Sequence, residues 1–144
     1  MTASDVNVTS AFLEYLQDPD VAVAVAVIKA LTGVIYRSEA TTMMQMEAEL
    51  QDAAQQLKTC PLSQHVLDAS QRHQNSIATS ASCELFLRYV TRAFLEFDDF
   101  EICKTQLIAR GKLFAETSLS SRKRIAQQGH NFVRNGMVRS HSCS

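Results

Sequence analysis

Val21-Ala-Val-Ala-Val-Ala-Val-Ile-Lys-Ala-Leu-Thr-Gly-Val-Ile-Tyr36 is the stretch on which the fold class turns. Its first seven residues alternate, and a period of two is the mark of a half-buried strand. Three observations decide against a strand. The alternate positions are alanine rather than polar residues, so a strand here would have no face suited to water. Just before it stands Asp18-Pro19-Asp20, in which Asp18 can cap a helix, Pro19 suits the first helical position and Asp20 complements the positive end of the helix dipole. The apolar pattern also runs for sixteen residues, far beyond the usual length of a strand. On a helix, Val21, Ala24, Val25, Ile28, Leu31, Thr32 and Ile35 make one broad apolar face. A helix this apolar on several sides is expected to be largely buried.

The rest of the chain agrees with a helical domain. Among 144 residues there are only 4 Gly and 2 Pro, too few for the many turns of an all-β chain, while Ala, Leu, Gln and Glu favour helices. A hydrophobic fraction of 46% and a charged fraction of 20% suit one soluble globular domain. The net charge of -1 supplies no overall field toward nucleic acid or an anionic membrane. The most apolar segment is interrupted by Lys29 and is too short to span a bilayer. Cys60, Cys83, Cys103 and Cys143 share no close spacing, and no basic-then-apolar signal segment opens the chain. Reduced thiols in the cytoplasm are the expectation, with Cys83 and Cys103 as small core residues.

Along the chain, Ser10 can cap a short helix through Leu16. Thr41 or Thr42 can cap a third helix running to about Lys58, with Met43, Met46, Leu50, Ala53, Ala54 and Leu57 on its inner face. Cys60-Pro61 ends it. A short helix is expected around Gln64 to Arg72, followed by a serine-rich loop, Asn75-Ser-Ile-Ala-Thr-Ser-Ala-Ser82. From there Leu85, Phe86, Tyr89, Val90, Ala93, Phe94 and Phe97 recur at helical spacing, then Phe100, Cys103, Leu107, Ile108 and Phe114. A last helix opens at Ser118 or Ser120, places Ile125, Ala126, Phe132 and Val133 inside, and ends at Asn135-Gly136. No repeat supports a solenoid.

Little in these residues resembles an active site. His65 and His73 stand eight apart with no carboxylate or thiol pair at metal-ligand spacing, and His130 reads as a packed helix residue. Asp98-Asp99 is explained by capping. There is no glycine-rich phosphate loop, nucleophile elbow or zinc motif, so no catalytic, cofactor or metal site is expected. Two features invite a second reading. Arg122-Lys-Arg124 is a solvated basic face or a site for an acidic partner. Thr41-Thr42, with exposed Gln45 and Glu49 beside Met43, Met44 and Met46, is a capped core helix or a protein-docking edge, since methionine adapts to irregular surfaces.

The run Glu84-Leu-Phe-Leu-Arg-Tyr89, with Leu95-Glu-Phe97, Ala109-Arg-Gly-Lys-Leu-Phe114, Ser118-Leu-Ser-Ser-Arg122, Lys123-Arg-Ile-Ala126 and His130-Asn-Phe132, resembles the family of alpha subunits of eukaryotic translation initiation factor 2B. Phe12-Leu-Glu-Tyr15, Asp18-Pro-Asp20 and the apolar helix through Ile35 are similar to the beginning of that family's pattern. The resemblance covers nearly the whole chain and is weakest over residues 59–80. It implies an N-terminal helical domain followed by a Rossmann-like α/β domain, an architecture shared with sugar-phosphate isomerases of the methylthioribose-phosphate type. Only the helical part is matched, and Met137-Val-Arg-Ser-His-Ser-Cys-Ser144 looks like an altered first strand of the second. A truncated, alternative or divergent form of the family is therefore expected.

The resemblance implies regulation rather than catalysis. The whole complex is a guanine-nucleotide exchange factor for initiation factor 2, and another subunit carries the exchange activity. The alpha subunit helps sense phosphorylation of initiation factor 2's alpha subunit. Thr42 matches a family position implicated in that response, Thr41 adjoins it and Gln45 lies one turn on. The loop ending near Ser80 and Ser82 is a second contact. The docking reading of the Thr42 edge then outweighs a plain capped helix. The expectations are an all-α fold of six or seven helices, with residues 1–136 a helical regulatory domain and residues 137–144 a tail or strand remnant. Expected partners are the other subunits of initiation factor 2B and the phosphorylated alpha subunit of initiation factor 2, with no direct nucleic acid, membrane or cofactor, in the cytoplasm. The rival expectation is the helical domain of an isomerase relative, inactive without its second domain.

Overall fold

The computed structural model of the protein describes residues 5–18, 20–60 and 69–133. Five helices occupy them, and no strand occurs among the described residues: α1 Asp5–Leu16, α2 Val23–Arg37, α3 Met43–Thr59, α4 Ala69–Glu96 and α5 Phe100–Val133. The alternating Val-Ala segment is helical, as its length and alanine content predict. Helix α2 packs against all four others. Val25, Ala26, Val27, Ala30, Leu31, Thr32 and Ile35 are buried on it, so burial extends around several sides of the helix, as its composition predicts.

The turn into α2 differs in detail from the expectation. Asp18 does not cap the helix directly. Its carboxylate accepts the Asp20 amide at 3.0 Å and its carbonyl accepts the Val21 amide at 3.1 Å, a local side-chain turn that competes with helix start. Helix α2 therefore begins at Val23 behind an Ala22 that offers no side-chain cap. Pro19 lies outside the described residues.

The remaining helices close around α2 by their periodic apolar faces. Helix α1 contributes Val8 and Phe12, α3 Met46, Leu50, Ala53, Ala54 and Leu57, α4 Cys83, Phe86, Val90 and Ala93, and α5 Cys103 and Leu107. Helix α5 starts where the acidic pair predicts, because the Asp99 carboxylate accepts the amides of Glu101 and Ile102 at 2.8 and 3.3 Å. This is a capping role, worth about 1 kcal/mol.

Two expected breaks are absent, which is why five helices replace six or seven. The serine-rich segment 75–82 is helix within α4 rather than a loop. Thr79, Ser82 and Cys83 are buried there, and the Cys83 thiol lies 3.9 Å from the Ala54 carbonyl of α3. Small side chains let α4 approach α3, and that packing overrides their modest helix propensity. At Ser118 α5 simply continues. Ser118 and Leu119 are half-buried, and after them nearly every residue to Val133 is exposed. Ile125, Ala126, Phe132 and Val133 are thus outside rather than inside, with Phe132 79% exposed. The apolar pattern there is real, but no described helix packs against it. The short helix expected at 64–72 falls partly in α4 and partly outside the described residues; the Asn135-Gly136 end and residues 137–144 lie wholly outside them.

Helices α2 and α5 run antiparallel. Lys104 reaches the Ser38 carbonyl at 2.8 Å, Gly111 meets Thr32, and Arg122 reaches the Asp20 carbonyl at 2.8 Å. At the middle crossing, a Cβ on Gly111 would stand 2.3 Å from Thr32 Oγ1, 2.9 Å from its Cγ2 and 3.2 Å from its Cβ. No rotation of the threonine clears all three atoms, so the helices must part. Alanine would gain up to about 1 kcal/mol in helix propensity, but overpacking costs about 1 to 3 kcal/mol. Gly111→Ala is expected to lower unfolding stability by about 1 kcal/mol or more in urea titrations. Adding Thr32→Ala is expected to recover most of that loss, a coupling that an independent pair would not show.

Candidate protein-contact site

The head of α3 is a capped and exposed helix start. Thr42 has the extended backbone of an N-cap, φ −129° and ψ 154°, and its hydroxyl oxygen accepts the Gln45 amide at 3.2 Å. The Gln45 side-chain carbonyl turns back and accepts from the Thr41 amide at 3.1 Å and the Thr41 hydroxyl at 3.2 Å. The three residues therefore fix one another in a variant of the capping box, in which the side chain at the usual third helical position returns to Thr41, the residue before the cap, and not to the cap's own amide. All three are exposed. Met44 beside them is 83% exposed, Met46 is fully buried and Met43 is half-buried. The three methionines are therefore one surface residue, one half-buried against the core and one core anchor, not a surface stripe.

What holds this edge in place was not visible from sequence. The Ser38 hydroxyl donates to the Glu49 carboxylate of α3 and accepts the Ala40 amide at 3.1 Å. Lys104 of α5 donates to the Ser38 carbonyl across 66 residues of sequence. A lysine and a serine so far apart carry no local signal. Ala40 is buried and anchors the same link.

Ser80 and Ser82 occupy a different place. Both lie in α4, Ser80 half-buried and Ser82 buried. The neighbouring Cys83 sits at Ala54, twelve residues beyond Thr42 on α3 and so about 18 Å along its axis. The structure does not bring Ser80 and Ser82 to the Thr41, Thr42 and Gln45 edge.

The basic run is likewise displaced from a helix start to the interior of α5. Arg122 is held by the Asp20 carbonyl, while Lys123 and Arg124 are exposed. His130 is exposed rather than packed. Among the described residues no three His, Cys, Asp or Glu side chains gather as metal ligands, and no helix is long and apolar enough to cross a membrane. His65, His141 and Cys143 lie outside the described residues, and the side chain of His73 is not described.

Comparison with known proteins gives these helices a family. The initiation factor 2 subunit family matches residues 16–144. The chain belongs to that family. It is 36% identical over 123 residues, 85% of its length, to translation initiation factor eIF2B subunit alpha of Dictyostelium discoideum. It spans 35% of the length of that relative.

The thiols report on packing here. Burial pushes Cys83 up to about 11, with Glu84 adding to the rise and Lys58 opposing it; burial also raises Cys60 and Cys103. A thiol raised in the fold favours folding below its unfolded value of 9.0 and loses that contribution as pH rises toward 11. Unfolding stability is therefore expected to fall between about pH 9 and pH 11 more steeply than in Cys83→Ala. Thiolate-selective labelling of Cys83 in the folded protein is expected still to climb about tenfold per pH unit near pH 9, where an unfolded control levels off.

Proposed function

We propose that the chain acts as part of a regulatory subunit of the guanine-nucleotide exchange factor for initiation factor 2, and is not itself an enzyme. In this reading it senses phosphorylation of that factor's alpha subunit through protein contact at the head of α3, working beside the other subunits of initiation factor 2B. The observation that carries the reading is the mutual locking of Thr41, Thr42 and Gln45 on an exposed edge. Family membership and the likeness to an eIF2B alpha subunit support it.

The chemistry suits recognition of a partner. Preformed edges lose less conformational entropy on binding than mobile ones. Hydroxyl and amide groups beside an exposed methionine give a surface with both hydrogen-bonding and adaptable apolar contacts. No acidic side chain occupies the first turn of α3, so the helix's own first turn leaves the positive end of its dipole open to an anionic partner. Ser80 and Ser82 enter as a second contact only through another surface, given their place on α4.

Binding to phosphorylated and unphosphorylated alpha subunit of initiation factor 2, with the other 2B subunits present, tests this. Thr42→Lys is expected to reduce the preference for the phosphorylated form. Since losing the cap costs about 1 kcal/mol, two controls separate fold from contact. Thr42→Ser keeps the cap and is expected to stay within about twofold of wild type. Met44→Glu alters only an exposed side chain and is expected to weaken binding of the phosphorylated form about fivefold or more. Equal binding by wild type, Thr42→Lys and Met44→Glu, all folded, would remove the α3 head from the contact.

A further inference from the structure

The close crossing of Gly111 on Thr32 leaves a groove of about 570 Å³ along the seam of α2 and α5, with Tyr15 of α1 at one side. Its floor and walls are Gly33, Ile108, Gly111, Ala115 and Leu119 with the rings of Tyr15 and Tyr36. Three cations stand around it, Lys29 and Arg37 from α2 and Lys112 from α5, against one carboxylate, Glu116. In a chain of net charge -1 that is a local reversal of sign.

These cations are not spent on structure. The ion pairs among the described residues join Lys58 to Glu84, and Arg92 and Arg110 to Glu96; none involves the groove. The Lys29 ammonium lies 5.4 Å from the centre of the Tyr15 ring, a contact that orients it without neutralising it. The Arg37 guanidinium folds back over Gly33, with its nitrogens 3.6 Å from where a Cβ would stand. At that distance a Cβ would make only ordinary contact, so the guanidinium rests on the α2 backbone at the groove. Thr32, only 6% exposed, also lines the groove, and its hydroxyl has no hydrogen-bond partner. A buried hydroxyl left so is costly unless something else satisfies it.

We propose that this groove binds an acidic peptide segment of a protein partner, with an apolar side chain seated between its carboxylates. Spacing favours a peptide over a single small anion. The backbones of Lys29 and Arg37 are eight residues apart on α2, about 12 Å along the axis. The Arg37 guanidinium is brought back over Gly33, and Lys112 stands across the groove on α5. A few residues of extended chain reach the cations of both helices together with the apolar floor between them, which a single phosphate does not. The apolar floor between the cations takes the central side chain. The groove is lined by residues of α1, α2 and α5 and by none of Thr41, Thr42 and Gln45, and the proposal does not rest on the reading of that edge.

Fluorescence anisotropy tests it with a labelled Asp-Glu-Leu-Asp-Glu peptide and the 144-residue protein. The expected result is saturable binding that falls at least tenfold in Lys29→Gln with Lys112→Gln, while helical circular dichroism is unchanged. Lys123→Gln with Arg124→Gln, which removes two exposed charges elsewhere, is expected to stay within about twofold. Replacing the peptide's leucine by glycine is expected to weaken it several-fold. The proposal is overturned by any of four results: no binding by the folded protein, equal binding of a Gln-Asn-Leu-Asn-Gln peptide, an equal loss from both double variants, or displacement by inorganic phosphate as effective as by unlabelled peptide.

Discussion

Two helices cross at backbone distance only where one of them gives up its side chain, and here Gly111 on α5 does so over Thr32 on α2. The space that a single methyl would need is already filled by the threonine. Helix α2 is the element that every other helix touches, so the separation at this crossing sets where α5 lies against the whole core. A glycine inside a long helix is unfavourable by about 1 kcal/mol relative to alanine. It is offset here by the contact it permits.

From that point the antiparallel pair is tied at both ends. Lys104 holds the carbonyl at the end of α2, and Arg122 holds the carbonyl in the turn before it. The first tie matters for the contact edge, because the same Ser38 that Lys104 grips is bonded to Glu49 and to the Ala40 amide. The link between α2 and α3 is thereby fixed from α5, and Thr42 caps α3 in a defined place. The grooves beside the crossing are a consequence of the same geometry, since helices that touch at a point diverge on either side of it. One groove is basic; the other, between α2, α4 and α5, is mainly apolar, with exposed Leu85, Leu113 and Phe114 on its wall.

Much of this was legible in the residues, and the failures have physical causes. The inner face of α3 was read from its period, and Thr42 as a possible cap from its hydroxyl, because both signals are local. The helical state of the Val-Ala segment followed from alanine where a strand needs polar groups. Segment 75–82 was misread because serine and threonine signal loops when exposed, yet serve equally as small buried residues where two helices approach. The end of α5 was misread in the opposite sense. Its apolar residues are spaced as for burial, but burial needs a facing element, which periodicity alone does not reveal. Lys104, Ser38 and Glu49 gave no sequence signal as a group. Gly111 did give one, as an isolated glycine within a helical pattern, and its packing role could have been inferred.

Helix α5 fixes the α3 head through Lys104, so that the Thr41, Thr42 and Gln45 edge is preformed rather than mobile. Amide hydrogen exchange in wild type and Lys104→Met measures it most directly. Exchange over residues 38–46 is expected to be faster in the variant, with α1 and the Phe86 to Ala93 part of α4 unchanged. Unchanged exchange over residues 38–46 in a folded Lys104→Met protein would contradict it.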